Sequence, residues 1–143
     1  MADFAYPKLP NGRPMPWRGF DWSVSHSEGG FFVAVADFPV GADLEFRKDR
    51  DPSVIRALHP SARELLFYDA WTGAEAVAKL VGAGVDAVGE VRFENVRAEE
   101  RRLGGVGFSR SADAEFRSAR FRVLTGSHGP WTYSVAFPSH VDA

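Results

Sequence analysis

Residues 20–27, FDWSVSHS, alternate between two kinds of side chain: Phe20, Trp22, Val24 and His26 fall on one side of an extended chain, Asp21, Ser23, Ser25 and Ser27 on the other. A period of two marks a half-buried strand, because successive side chains of a strand point to opposite faces. The EGG that follows supplies a turn, and FFVAVADF is a second β-prone run, so residues 20–38 predict a hairpin. Beyond Pro39 and Gly41, ADLEFRK alternates Leu44 and Phe46 with Glu45 and Arg47. This extends the hairpin into a three-strand N-terminal meander ending near Asp51–Pro52, with charges on its exposed edge.

Upstream lies a different kind of chain. Residues 1–19 hold Pro7, Pro10, Pro14 and Pro16, which restrict φ and remove amide donors, so neither a helix nor a central strand is possible there. Phe4, Tyr6 and Trp17 are too apolar for a free tail, and this proline-rich extended arm is expected to lie along the domain or a neighbouring subunit. Residues 20–143 form the single domain.

In the middle, Ser61 with Glu64 and Thr72 with Glu75 match the spacing at which two side chains cap a helix start. Two short central helices follow. Residues 73–83 place Val77, Leu80 and Val81 on one helical face, with Gly82 and Gly84 to end it. The preceding ARELLFYDAW suits helix or strand, and helix is favoured; read as a strand, it would turn the 73–83 helix into a crossover between parallel strands. Three more alternating runs, AVGEVRFENV, AEFRSARFRVL and WTYSVAF, predict C-terminal strands, and a further strand is expected within 98–110. The order strands, helices, strands predicts an α+β fold: a mainly antiparallel, curved sheet with the helices packed on one face.

Composition narrows the function. The 143 residues are 45% hydrophobic, enough for one domain with its own core. Seventeen basic residues against nineteen acidic give no global attraction to nucleic acid or an anionic membrane. With no cysteine, thiol catalysis, disulfides and iron–sulfur ligation are excluded, and a reducing, cytoplasmic setting is expected. No apolar run reaches the ~20 residues of a membrane span, and MADFAYPKLP lacks the charged and apolar regions of a signal peptide, so a soluble protein is expected.

Motifs that would carry chemistry fail on spacing. His128 and His140 are twelve residues apart, about 40 Å along a strand, and His26 and His59 form no ligand pair, so no metal site and no cofactor are expected. Gly82 and Gly84 follow a helix instead of opening one, the reverse of a pyrophosphate-binding turn. No G-x-S-x-G is present. Eight arginines against six acids between residues 87 and 125 suit solvated strand faces with cross-strand pairs, so no nucleic acid is expected.

What remains is aromatic surface. Trp131, Tyr133, Val135 and Phe137 share one side of their strand, Trp22 and His26 one side of theirs, and Arg117 falls with Ala119, Phe121 and Val123. Trp22, His26, Arg117, Trp131 and Tyr133 are therefore the candidate ligand contacts of a non-catalytic binding domain, for a protein partner or a small apolar ligand. The alternative is a small cofactor-independent isomerase, cyclase or lyase using His26, Tyr68 and Asp69 as acid–base groups. A structural subunit, oligomeric through the arm or a strand edge, is the third reading.

Overall fold

The structure, a computed structural model, describes residues 6–47, 67–141 and 143. The Ser61/Glu64 pair, the expected strand end at Asp51–Pro52 and Phe4 lie outside those residues. Among the described residues, seven strands, one α-helix and one 3-10 helix make a single α+β domain whose strand pairs are all antiparallel.

The hairpin forms as its alternation predicts. β1 (Asp21–Ser27) pairs with β2 (Gly30–Ala36), setting Trp22 opposite Val35, Val24 opposite Val33 and His26 opposite Phe31. Glu28 and Gly29 make the turn, both at positive φ, which is the two-residue geometry that matches strand twist.

The third strand departs from the expected meander. β3 (Gly41–Phe46) does not pair with β2; it joins β7 (Trp131–Pro138) at the edge of a five-stranded sheet completed by β6 (Ala119–His128), β5 (Val106–Phe116) and β4 (Arg92–Leu103), in the order β3-β7-β6-β5-β4. The hairpin is attached to β3 through side chains. Asp21 Oδ2 and the Oγ atoms of Ser23, Ser25 and Ser27 accept hydrogen bonds from the amides of Val40, Ala42, Leu44 and Phe46, at 2.9, 2.9, 3.0 and 3.1 Å. Two strands of the same period thus run in step, and four side-chain oxygens satisfy an edge that would otherwise be open.

This zipper also inverts the hairpin's faces. Ser23 and Ser25 are buried, whereas Phe20 and, on the partner strand, Phe31, Val33 and Val35 are exposed. Replacing Ser23 and Ser25 together by alanine strands the Ala42 and Leu44 amides. A loss of about 1–3 kcal/mol for each is expected in urea unfolding.

α1 (Phe67–Val81) covers one face of the large sheet. It is one unbroken helix, so the expected boundary at Thr72 does not occur. Thr72 Oγ1 donates back to the Tyr68 carbonyl at 2.7 Å and meets Ser134 Oγ at 2.8 Å, which satisfies it within the helix. With residues 67–71 helical, the parallel crossover does not arise. Gly82, at positive φ, ends the helix through the Gly82 N–H to Lys79 and Ala83 N–H to Ala78 carbonyl bonds. The second helical segment is the 3-10 turn Val85–Glu90, which packs Ala87 and Val88 into the same core. Among the described residues no helix is long and apolar enough to cross a membrane.

The opposite face of the sheet carries Leu44, Phe108, Leu124, Tyr133, Val135 and Phe137, covered by the inner row of β2: Phe32, Ala34 and Ala36. The fold is therefore three layers: helix, sheet, hairpin. The arm lies on this framework, with Tyr6 edge-on to Trp22 at 5.0 Å and Arg13 paired to Asp21.

Candidate functional site

Hairpin and sheet do not close over their whole length. Between β2 and the ends of β5, β6 and β7 lies an open cleft of about 930 Å³. Its walls are Phe31 and Phe32 from β2, Leu44 from β3, Phe108 from β5, and Trp131 and Tyr133 from β7. β7 contributes alternate residues because its even positions face the helix. Tyr133 stands between two rings, 5.1 Å from Phe32 and 5.5 Å from Phe108, and its hydroxyl donates to the Gly107 carbonyl. Gly126 makes that placement possible, since a Cβ there would lie 2.7 Å from the Tyr133 hydroxyl and 2.5 Å from the Gly107 carbonyl. Burial pushes the phenol's pKa up, against the opposing charge of Arg102, so it remains a neutral donor.

The rim is polar. Glu100, Arg101, Arg102, Ser127 and His128 border the opening. Arg101 lies 3.6 Å from Glu99, and Arg102 donates to the Gly105 carbonyl, so both guanidinium groups are anchored at the mouth. An apolar hollow with cations at its edge suits a ligand with a hydrophobic body and an acidic end.

The candidate residues read from the sequence distribute over several places. Trp131 and Tyr133 line the cleft. Trp22 does not line it; its indole N–H donates to the Met15 carbonyl at 2.9 Å, under the arm. His26 has its ring 5.8 Å from Phe31 and borders a separate hollow of about 590 Å³ with Asp43, Glu45 and Lys79. Arg117 sits in the turn between β5 and β6, with Arg117 and Ser118 both at positive φ, so strand alternation does not carry through it. There it pairs with Glu90 at 3.0 and 3.2 Å and lies over the Phe116 ring.

Tyr68 and Asp69 come together near the start of α1, in a hollow of about 300 Å³ shared with Arg47, Arg110 and four hydroxyl residues, and His26 is not among its walls. Asp69 Oδ2 is 3.5 Å from Arg110 Nε. Burial raises the Asp69 pKa, while Arg110 and Arg47 oppose the rise.

One buried acid escapes a reading of the sequence altogether. Asp43 is 3% exposed, and its Oδ1 accepts from Lys79 Nζ at 3.0 Å and Ser25 Oγ at 3.2 Å. Its Oδ2 has no hydrogen-bond partner among the described residues. Burial raises its pKa from 3.8 to about 7; Lys79 opposes this, and Glu45 and Glu75 add to it. The available signal is the Asp43/Glu45 alternation, which suggests a solvated edge but faces α1 instead. Among the described residues no three histidine, aspartate or glutamate side chains group as a metal site would require.

No protein-family model matches the chain, and no curated protein matches it either.

Proposed function

We propose that the protein is a binding domain for a small, largely apolar ligand with an acidic group, held in the cleft between β2 and the ends of β5–β7. The observation that carries this reading is the cleft itself: about 930 Å³, walled by aromatic and aliphatic side chains, with Arg101, Arg102 and His128 at its mouth. That volume falls in the range of small-molecule sites, ~300–1,000 Å³. Aromatic walls give contact area at little conformational cost, and rim cations choose the ligand's orientation. The cytoplasmic setting expected from the sequence belongs to the same proposal.

A second reading, a cofactor-independent enzyme, draws on the hollow at Tyr68 and Asp69. Its support is the raised pKa of Asp69 beside Arg110, which suits proton transfer. The cleft is favoured because it is three times as large and lined by apolar groups.

The probe that tests the leading reading is anilinonaphthalene sulfonate, an aromatic body with one anionic group. Saturable fluorescence enhancement by the folded protein is expected, with about tenfold weaker binding in Trp131→Ala, equivalent to ~1.4 kcal/mol, and a comparable loss in Arg102→Ala. Equal affinity in wild-type and Trp131→Ala protein would place the dye elsewhere and defeat the proposal.

A further inference from the structure

The hairpin's inner face, the serines of β1 beside Phe32, Ala34 and Ala36 of β2, is packed on the large sheet, while its outer face is covered in part, at Trp22, by the arm. Its outer row consists of Phe20, Trp22, Val24 and His26 on the β1 side, with Trp22 under the arm, and Phe31, Val33 and Val35 on β2, and Trp17 extends it by pairing antiparallel with Phe20. Trp17, Phe20, Phe31, Val33 and Val35 are 43% to 62% exposed. A strand with one wet face alternates apolar with polar residues, whereas FFVAVA is apolar throughout, the composition of a strand buried on both sides.

We propose that this outer face is covered by the same face of a second copy of the chain, giving a two-fold dimer in which the two hairpins stack. Area supports a stable pairing: large aromatic side chains bury ~150–250 Å² each and valines less, so these five residues together leave about 500 Å² open. A standard interface takes about 800 Å² from each partner, of which about two thirds is apolar in homodimers. The face supplies nearly all of that share. Nothing on it repels its own image, since the central positions carry no lysine, arginine or carboxylate.

Charge at the two ends selects the arrangement. Arg18 stands at the open end of the hairpin, its guanidinium over the Trp17 ring, and Glu28 stands in the turn at the other end. A two-fold axis across the strands lays the turn of one copy over the open end of the other, so each Glu28 approaches the second copy's Arg18. An axis along the strands would set like charges together. Stacked sheet faces lie ~10 Å apart with strands roughly aligned, a gap that facing rows of Phe and Val side chains fill.

Sedimentation equilibrium over the micromolar range tests this. The wild-type chain should sediment at twice its 15.7 kDa. A protein carrying both Val33→Glu and Val35→Glu should sediment as a monomer, with unchanged far-ultraviolet circular dichroism because both side chains are exposed. Trp131→Ala, in the ligand cleft, should remain dimeric, which separates this inference from the binding proposal. A monomeric wild-type chain across the whole range overturns it, and so does a dimer that survives the double substitution.

Discussion

Replacing Gly41 by alanine should leave the protein largely unfolded under conditions where the wild-type chain is stable. A Cβ at this position would lie 1.9 Å from the Ala76 carbonyl oxygen and 2.8 Å from the Leu80 amide nitrogen. Both atoms belong to the backbone of α1, so no side-chain rotation relieves the clash. The helix would have to move as a body, and Ala76, Val77 and Leu80 are buried. Moving it would also break the Thr72–Ser134, Trp71–Glu45 and Lys79–Asp43 contacts that lie along the same seam. Overpacking a core usually costs about 1–3 kcal/mol, and a rigid-body shift with lost hydrogen bonds exceeds that, against a domain stability of ~5–15 kcal/mol. Urea unfolding should show a midpoint lowered by at least half. Gly84→Ala is the matched control, since Gly84 has an ordinary extended backbone and a Cβ there would meet nothing within 4 Å. It should be neutral or gain up to about 1 kcal/mol through the reduced freedom of the unfolded chain. Equal midpoints for the two variants would mean that the β3 and α1 backbones are not in direct contact.

Gly41 also shows why some of this fold could be read from sequence and some could not. The hairpin and the antiparallel strands are local: alternation and turn residues specify them, and FDWSVSHS, EGG and WTYSVAF lead directly to β1, the turn and β7. Which row of β1 is buried is a different matter. Hydropathy selects Phe20, Trp22 and Val24, yet the serines go inside because an open strand edge offers amides at the same spacing. The partner of β3 is equally non-local, being β7, 85 to 95 residues away along the chain. The turn at Arg117–Ser118 carries neither glycine nor proline, so AEFRSARFRVL reads as one strand where the chain makes β5, a turn and β6.

The candidate site divides along the same line. Trp131 and Tyr133 are legible because one strand's alternation presents them together. Leu44, Phe108 and the rim arginines are not, because only the crossing of hairpin over sheet brings those elements to one hollow. His26, Tyr68 and Asp69 are compatible chemically but lie in two hollows, His26 beside Lys79 in the last turn of α1 and the other two near its start. Residue type suggests a role; the end of the helix on which a residue sits decides whether it has colleagues.

Stability should fall as pH rises toward and through neutrality, and Asp43 should account for most of the fall. In the folded protein its pKa is raised from 3.8 to about 7. Below the ordinary value both states hold the proton and pH has no effect through this group. Between 3.8 and about 7 the unfolded chain ionises while the folded one keeps its proton, so each pH unit costs stability. Above about 7 both states are ionised and the loss is complete. Three units of pH correspond to roughly 4 kcal/mol at most. Burial of Asp69 and Glu75 raises their pKa as well, so they act in the same direction. A neutral carboxyl suits the site because an ionised oxygen without a partner is the costlier thing to bury. Asp43→Asn removes the titration while keeping an acceptor for Ser25 and Lys79. Its melting temperature should therefore vary less than the wild type's from about pH 5 to about pH 8, and exceed it at the upper end. Parallel curves for the two proteins would show Asp43 ionised throughout and held by Lys79. The location gives the effect reach: Asp43 joins Ser25 of the hairpin, the edge strand β3 and Lys79 of α1, and the hairpin supplies Phe31 and Phe32 to the cleft. Dye binding in the cleft should accordingly weaken over the same pH interval in the wild type and hold steady in Asp43→Asn.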